Sequence, residues 1–479
     1  MLKELLAPSA ALAPSEKARL LLQRLTPLFL DEALKDPEPD NALMALDKYL
    51  RSVKASSTYF STLLENPPTA RFLVRILGES RFFSELLTRH PQSIDSLIGR
   101  WALQHTAGKV SLERTLSEHL ASSEDYEAQL DRLRIFKNER ILQIGASHLS
   151  GEIDSSSARR LITELAEVCL RAATDVAARE MERKFGDVGL NRPLPFVILG
   201  MGKLGGLEMT YLSDVDVIFI YDPPSDMIGR FSSHEWFTRL ASRIISVLSI
   251  PTSEGVAFAI DTRLRPSGEK GLLVVTLSSF REYHRTTSKL WEKQALIKAR
   301  PVAGSPDLGQ GVLRITRDCV MRTLMSTEDL GEIDRLRKRM EAEIALEDSR
   351  HVDLKTGHGG LVDVEFYVQG KILMHGGQYP QVLQQNTLDA LDALKDAGLV
   401  DNRSYWTLNQ GYRFLTNLED RLRIMEHRSV DRMALEGEKL RGLAQRLGYA
   451  VGEEHLFISD YFNVTDSIRG IYRSFFGVT

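Results

Sequence analysis

The sequence contains little cysteine: its 479 residues include only Cys169 and Cys319, which lie far apart. This argues against a disulfide framework and against a clustered cysteine metal site, so a reducing cytoplasm is the expected compartment. Long apolar runs are missing too, because no window reaches the 18 or more residues that a membrane span needs. The N-terminus has an alanine-rich stretch but no sustained apolar core. We therefore expect a cytoplasmic, unexported protein without a membrane partner.

A strong excess of one charge is also absent, because 61 basic residues stand against 65 acidic ones and the formal net charge is −4. General nucleic-acid binders usually carry a marked positive balance. We therefore expect no nucleic-acid partner, whereas a protein substrate is compatible with this charge. The hydrophobic fraction of 43% is sufficient to fill the cores of two to four globular domains in a chain of this length.

The most informative stretch that is present runs from Gly200 to Tyr221 and places two carboxylates, Asp214 and Asp216, in an apolar segment. Its β-branched and aromatic residues predict a strand, in which residues two positions apart share one face. Two like charges about 4 Å apart repel by roughly 4 kcal/mol at an effective dielectric near 20, so a folded protein normally supplies a cation or a proton. The pair suggests a magnesium site, and the alternative is the exposed face of an edge strand.

A glycine-rich turn precedes this strand. A short apolar strand at 194–199 leads into the turn, where the backbone can approach a ligand such as phosphate closely. The glycines of the turn are Gly200, Gly202, Gly205 and Gly206. The first three also match the dinucleotide fingerprint, but that fold needs a crossover of a dozen or more residues before the next parallel strand. Residues 207–213 are too few for it, so the dinucleotide interpretation is rejected.

A third carboxylate, Asp261, lies in a segment at 256–266 that alternation predicts to be a second strand. Asp261, Arg263 and Arg265 share its charged face, and Pro266 ends it because proline cannot donate to a ladder. By itself this face also fits a solvated strand whose charges neutralise one another. Beside the first pair, three carboxylates could hold two magnesium ions while the arginines donate to phosphate oxygens, as nucleotidyl transfer requires.

These residues carry a resemblance to a known family. A GG pair followed by S-D-x-D, and then by a third aspartate on a neighbouring strand, resembles the nucleotidyltransferase superfamily of the DNA polymerase β type. The helical stretch at 63–91 is similar to the region that precedes a nucleotidyltransferase domain in the glutamine synthetase adenylyltransferases. Five motifs resemble that family in order and spacing: GMGKLGG at 200–206, SDVDVIF at 213–219, DTRLRPSGEKGLLV at 261–274, WEKQALIKAR at 291–300 and GGLVDVEFYVQ at 359–369.

The resemblance implies a specialised half of a longer enzyme or a single-domain homologue. Full-length family members are about twice as long and carry two related domains, of which one removes AMP from glutamine synthetase by phosphorolysis. The other attaches AMP from ATP to a tyrosine, and the sequence DTRLRPSG together with Asp363 is similar to that adenylylating domain. Removal of AMP, and a nucleotidyltransferase with another acceptor, remain the alternatives. A non-catalytic module should lack one of the three aspartates, which this chain retains.

The resemblance also implies the site residues, the cofactor and the partners. Asp214, Asp216 and Asp261 are the catalytic and metal-binding residues, with two Mg²⁺ ions and ATP as substrate. Glutamine synthetase is the protein substrate, and a regulatory contact with the PII signal protein is left open. The nucleotide-binding residues are Gly205, Gly206, Ser213, Arg263, Arg265, Lys203, Lys298 and Arg300. For Lys298 and Arg300 taken singly, a solvated surface position is the alternative.

The expected fold class is α+β and mostly helical: a small mixed β-sheet of the polymerase β-like nucleotidyltransferase type, with helices against one face and helical domains on either side. Apolar spacing predicts long helices at 156–185 and 233–248, and a solvated helix at 332–347. The expected domains are an N-terminal helical domain at 1–115, a helical segment at 116–190, the catalytic domain at 191–325 and a C-terminal helical bundle at 326–479.

Overall fold

The computed structural model describes residues 12, 15–53, 56–94, 108–123, 125–323, 325–426 and 431–477. Helices dominate these ranges, which confirms the α+β, mostly helical class. None of the helices described is long and apolar enough to cross a membrane. The α-helices are α1 (Glu16–Ala33), α2 (Pro39–Ser52), α3 (Ser56–Glu65), α4 (Pro67–Glu79), α5 (Arg81–Arg89), α6 (Lys109–Ala121), α7 (Tyr126–Leu149), α8 (Ser155–Phe185), α9 (Gly202–Gly205), α10 (Ser233–Ser249), α11 (Leu277–Thr286), α12 (Leu290–Leu296), α13 (Pro306–Met321), α14 (Thr327–Met340), α15 (Leu361–His375), α16 (Thr387–Asp396), α17 (Asn402–Glu426), α18 (Glu438–Arg446) and α19 (Glu454–Phe476).

The ends of the long helices follow from local signals. The side chain of Asp154 accepts the backbone N–H of Ser157 and so caps the start of α8. This helix ends at Gly186, whose φ of +79° is easily adopted only by glycine. Ser232 caps α10 in the same way by accepting the N–H of Glu235. Helices α8 and α10 pack against each other, and both contact the sheet whose first strand follows α8 in the sequence.

The central sheet is small and mixed. The strands of the described residues are β1 (Phe196–Gly200), β2 (Val215–Tyr221), β3 (Met227–Ile228), β4 (Phe231–Ser232), β5 (Ile260–Asp261), β6 (Val274–Thr276), β7 (Arg300–Gly304), β8 (His351–Asp353) and β9 (Arg432–Ala434). The strand order of the central sheet is β5-β2-β1-β7, and β6 pairs with β2 as well. β1 runs antiparallel to β2 and β7, whereas β5 and β6 run parallel to β2. The pairs β3–β4 and β8–β9 form separate two-stranded sheets.

Helices cover both faces of the central sheet, whereas the sequence predicted helices against one face. Phe196 and Phe219 lie in a core shared with the N-terminal helices and α10. Val197 and Ile218, on the opposite face, lie in a core shared with the C-terminal helices. The reason lies in β1 and β2 themselves, which are apolar runs buried on both sides apart from Asp216. Such runs are typical of a strand covered on both faces.

The segment around Asp261 is not the long strand that alternation predicted. Only Ile260 and Asp261 pair with β2, and the chain then turns away. The carboxylate of Asp261 accepts the backbone N–H of Arg263 at 2.8 Å. An aspartate that captures the backbone two residues further on favours a turn over a strand. Arg263 and Arg265 therefore do not extend a charged strand face.

The C-terminal part of the chain is held together by a buried arginine that the sequence placed on a solvated helix. Arg337 of α14 is fully buried, pairs with Asp363 of α15 and donates to the carbonyl of Gly357 at 2.6 Å. Arg469 of α19 approaches the other oxygen of Asp363 at 2.9 Å. Asp363 thus joins three helices.

The domain boundaries that the sequence suggests, at 115, 190 and 325, stay a prediction, because the two hydrophobic cores share the central sheet.

Candidate active site

The candidate site lies where β2 begins and meets β5. Asp216, the second residue of β2, stands opposite Asp261 in parallel register. Neighbouring strands lie about 4.8 Å apart, so paired residues on them present their side chains to the same face. The backbone carbonyl of Asp216 accepts the N–H of Met201 at 2.9 Å, which places the glycine turn beside the two carboxylates. The structure therefore brings Asp216, Asp261 and the glycine turn together.

The two facing carboxylates have different electrostatic environments. Burial raises the pKa of Asp216 to about 7, and the charge of Asp261 adds to the rise while Lys355 opposes it. Burial acts upward on Asp261 as well, but hydrogen bonds from Arg263 outweigh it and hold the pKa of Asp261 below its usual range. Asp216 forms no ion pair with any residue that the structure describes. A buried carboxylate beside like charges favours a bound cation or a proton.

Asp214 and Ser213 lie in the turn that enters β2. Asp214 is exposed, and its charge contributes to the raised pKa of Asp216. The hydroxyl of Ser213 accepts the N–H of Thr210 at 3.1 Å, so it stabilises the turn. Leu212 has a φ of +60°, which costs a non-glycine residue about 1–2 kcal/mol. A strained turn therefore presents Asp214 to solvent next to the half-buried Asp216.

The glycines of the turn have different neighbours. Gly202 has a φ of +50°, and a Cβ atom there would lie 2.5 Å from Oδ2 of Asp216. A Cβ at Gly205 would collide with the backbone carbonyl of Lys298, and one at Gly206 would lie 3.2 Å from the carbonyl of Gln385. Gly205 and Gly206 thus allow close backbone packing. Gly202, which the sequence analysis did not place among the site residues, is the glycine in contact with Asp216.

The two arginines after Asp261 have different partners. Arg263 is 68% exposed, and its Nε donates to Oδ2 of Asp261 at 2.8 Å. Arg265 donates to the backbone carbonyls of Thr262 at 2.8 Å and Gly271 at 3.2 Å. Arg265 therefore holds its own turn, while Arg263 lies directly at the acidic pair.

Two lysines that the sequence analysis placed at the nucleotide form buried ion pairs. Lys203 pairs with Glu419 at 2.5 Å, and burial lowers the pKa of Lys203. Lys298 pairs with Glu208 at 2.6 Å and with Glu365 at 3.4 Å. Burial acts to lower the pKa of Lys298, but the two carboxylates outweigh it and raise that pKa. These pairs join the glycine turn to α15 and α17.

Arg300 forms a third buried connection. Its guanidinium pairs with Glu167 of α8 and donates to the carbonyls of Leu204 at 3.0 Å and Gly205 at 3.1 Å. Both carbonyls lie at the C-terminal end of the short helix α9. Arg300 therefore fixes the glycine turn against α8.

A buried charge network around Glu419 escaped the sequence analysis. Arg159 of α8 donates to Asp420 at 2.9 and 3.0 Å and to Glu419 at 2.7 Å. Arg423 pairs with Glu419 at 3.0 Å, and Lys203 completes the set. The available signal was the charged run LEDRLR at 418–423 inside an amphipathic helix. Its partners lie far away in sequence, so the run alone could not identify them.

The carboxylates fit a magnesium ion in chemical type. Hard carboxylate oxygens are the ligands that Mg²⁺ prefers, and the half-buried Asp216 has no cationic partner among the described residues. No group of three or more histidine, cysteine, aspartate or glutamate side chains in the described ranges is already gathered closely enough to hold a metal ion. In this conformation Arg263 occupies the oxygens of Asp261. The metal-binding roles of Asp214, Asp216 and Asp261 stay a prediction.

The fold and the site together define a protein of the nucleotidyltransferase class: a small mixed sheet, a GG turn, an S-D-x-D entry to one strand and an aspartate in register on the parallel neighbour. The family model described as glutamate-ammonia ligase adenylyltransferase matches residues 70–315. The chain belongs to this family.

Similar curated proteins carry the name bifunctional glutamine synthetase adenylyltransferase/adenylyl-removing enzyme. The one from Thioalkalivibrio sulfidiphilus is 33% identical over 443 residues, which cover 89% of this chain and 46% of the relative. Those from Neisseria meningitidis serogroup A and Xanthomonas axonopodis pv. citri are each 32% identical and cover 87% and 85% of this chain, or 45% and 44% of the relative. The chain spans about half the length of the curated relatives it matches.

A second family model, described as PII-uridylyltransferase, matches residues 334–476. This segment includes α15 and α17, which supply Glu365 and Glu419 to the ion pairs of the glycine turn. The two matches therefore meet, in the folded chain, at the buried ion pairs behind the candidate site.

Proposed function

We propose that this chain transfers AMP from ATP to a tyrosine of glutamine synthetase by a two-metal nucleotidyl transfer. The observation that carries the proposal is the register of Asp216 with Asp261 beside the glycine turn, in a chain of the adenylyltransferase family. The name adenylyltransferase shared by the relatives supports this direction of transfer.

In the proposed mechanism, Asp214, Asp216 and Asp261 hold Mg²⁺. Bound magnesium would neutralise charge on the phosphates and lower the barrier to in-line displacement. Arg263 is exposed and forms its bonds to Asp261 through a forked guanidinium, which fits phosphate oxygens equally well. A nucleotide that draws Arg263 to its phosphates therefore releases Asp261. The freed carboxylate would then hold the second ion that activates the tyrosine hydroxyl, or would itself take up the proton of that hydroxyl, as the tyrosine oxygen attacks the α-phosphorus and pyrophosphate leaves.

The remaining predicted residues receive two kinds of role. The backbone of Gly205 and Gly206, with Ser213, is proposed to hold the β- and γ-phosphates. Lys203, Lys298 and Arg300 act on that backbone through their ion pairs and hydrogen bonds, and Arg265 fixes the turn that carries Arg263.

Removal of AMP by phosphorolysis is the second candidate function. It is favoured by the words adenylyl-removing enzyme in the names of the relatives. In that reaction inorganic phosphate would be the attacking group, and it would act at the same acidic pair. The match of residues 334–476 to a PII-uridylyltransferase model supports the PII signal protein as a regulatory partner of this segment.

Mass spectrometry of glutamine synthetase separates the candidates. Incubation with this protein, ATP and Mg²⁺ is expected to add one AMP per modified subunit, and chelation with EDTA is expected to stop the reaction until Mg²⁺ is restored. Adenylylated glutamine synthetase in phosphate tests the reverse reaction. Loss of AMP without any gain would favour the removing function, and no change in either incubation would contradict both.

Gly202→Ala tests the contact between the glycine turn and Asp216. The added Cβ would press on Oδ2 of Asp216, so AMP transfer is expected to fall about 10- to 100-fold, or roughly 1.4–2.8 kcal/mol. Gly151→Ala is the matched control, because Gly151 also has a positive φ, of +77°, but nothing within 4 Å of an added Cβ. Equal rates in the two variants would show that backbone strain alone, and not the contact with Asp216, matters.

A further inference from the structure

The cations that the sequence analysis assigned to the nucleotide all have protein partners already. Two lysines form buried ion pairs, two arginines donate to backbone carbonyls of nearby turns, and one arginine binds Asp261. These residues are Lys203, Lys298, Arg265, Arg300 and Arg263. In this conformation, each of these side chains would have to break or share a bond to bind a triphosphate, as proposed for Arg263. A cation without a protein partner among the described residues would bind phosphate without that loss.

Lys355 is positioned to supply that charge. It lies in the loop between β8 and α15, half-buried, and its ammonium forms no hydrogen bond or ion pair with a residue that the structure describes. Its backbone is fixed at both ends: the N–H donates to Asp353 at 3.0 Å and the carbonyl accepts the N–H of Val362 at 3.0 Å. The loop is anchored further because Leu354 donates to the carbonyl of Asp431 at 2.7 Å.

The positive charge of Lys355 acts on titratable groups of β2, the glycine turn and α15. It opposes the rise in pKa that burial and Asp261 impose on Asp216. It adds to the fall in pKa that burial causes at Lys203, in the glycine turn. At Glu365 it assists Lys298 and Lys203, which outweigh burial and lower the pKa of that carboxylate. The bonds of the loop give the same placement. The carbonyl of Lys355 binds the first turn of α15, and the adjacent Leu354 binds Asp431, whose carboxylate pairs at 2.7 Å with Arg423 of the network that holds Lys203. Lys355 therefore lies near β2, the glycine turn and α15.

The bonding of the neighbouring lysines sets Lys355 apart. Lys203 and Lys298 each bind a buried carboxylate, as expected for lysines with a structural role. Glu365, on the neighbouring helix α15, already binds Lys298 and accepts the hydroxyl of Tyr412 at 3.2 Å. A partly buried ammonium without a partner among the described residues is suited to an incoming anion, since charge-assisted hydrogen bonds gain strength away from bulk water.

We propose that Lys355 binds the β- and γ-phosphates of the nucleotide, so that the C-terminal helical region completes the phosphate site. The assignment to these two phosphates follows from the position of Lys355 toward the glycine turn, where the proposed function places them. The inference rests on that proposed function. Lys355 then offsets the negative charge that Asp216 and Asp261 present to the triphosphate.

Calorimetric binding of ATP and of AMP, each with Mg²⁺, tests the role of Lys355. In Lys355→Met the affinity for ATP is expected to fall about 10- to 100-fold, as for the loss of a hydrogen bond between charged groups, while the affinity for AMP changes less than about 3-fold. Lys355→Arg should restore most of the ATP affinity. Lys439→Met is the control, because Lys439 is 71% exposed and pairs with Glu426 on the surface.

Each outcome decides for or against the inference. Unchanged ATP affinity in Lys355→Met, or an equal loss for ATP and AMP, would overturn it, the second result indicating a merely structural lysine. If the unaltered protein binds no ATP, both this inference and the proposed function fail. If ATP binding depends on Lys355 but glutamine synthetase gains no AMP, the proposed acceptor fails and the phosphate site stands.

Discussion

Asp216→Asn is expected to lower AMP transfer by about a thousandfold or more, or roughly 4 kcal/mol of transition-state stabilisation. Asparagine keeps the shape of the side chain but removes the negative charge that would hold the metal. The fold should survive, because the substitution removes a half-buried carboxylate whose charged form is already disfavoured, as its raised pKa indicates. Mass spectrometry of glutamine synthetase measures the transfer, and thermal unfolding should show an unchanged or higher melting temperature.

Asp222→Asn is the matched control for this experiment. Asp222 directly follows the other end of β2 and is exposed. Within the described part of the chain it bonds only through its backbone N–H, which donates to the carbonyl of Pro195 at 3.0 Å. Transfer and stability should therefore remain within about 0.5 kcal/mol of the unaltered protein. Full turnover by Asp216→Asn would remove the acidic pair from the mechanism, whatever the control shows.

Arg159→Met is expected to destabilise the protein by about 3–5 kcal/mol, the cost of breaking a buried ion pair from one side. Asp420 would keep a hydrogen bond from Thr210 but lose both bonds from Arg159, and Glu419 would lose one of its cations. Because Arg159 lies on α8 and its partners on α17, the damage should affect the whole sheet and helix assembly. The midpoint of urea unfolding measures the loss.

The next residue along the chain provides the control. Arg160 forms an exposed ion pair with Asp389, with both side chains more than 40% exposed, so Arg160→Met should cost less than about 1 kcal/mol. If the two variants unfold at the same urea concentration, the buried network around Glu419 contributes no more to stability than a surface ion pair does. That result would contradict the prediction, which rests on the burial of the network and on its short hydrogen bonds.

The acidic residues were predictable because their signal is local. Asp214 and Asp216 lie at the entrance of an apolar strand, and their spacing alone predicts shared chemistry. The roles of the lysines were much harder to predict. Lys203 and Lys298 have their partners 216 and 90 positions away, at Glu419 and Glu208. No local pattern indicates which distant carboxylate a lysine will meet, so a charge beside a glycine turn was interpreted as a phosphate ligand.

The same distinction applies to the segment after Asp261. Alternation predicted a strand at 256–266, but a single hydrogen bond from the backbone of Arg263 to Asp261 ends the strand after two residues. Here a side chain competes with the strand pairing for a backbone N–H only two residues away. The alternating pattern of apolar and polar residues gives no indication of this competition. The continuous apolar runs of β1 and β2 did indicate that both faces of the sheet are covered, because strands covered on one face alternate apolar and polar residues.

Short-range periodicity and motif spacing were enough to predict most strands and helices, the acidic S-D-x-D entry to β2 and the family to which the chain belongs. Which charges meet one another depends on long-range packing. Lys203, Lys298 and Arg300 pair with buried carboxylates, because burial makes an unpaired charge costly and the partners come from segments far apart in the chain.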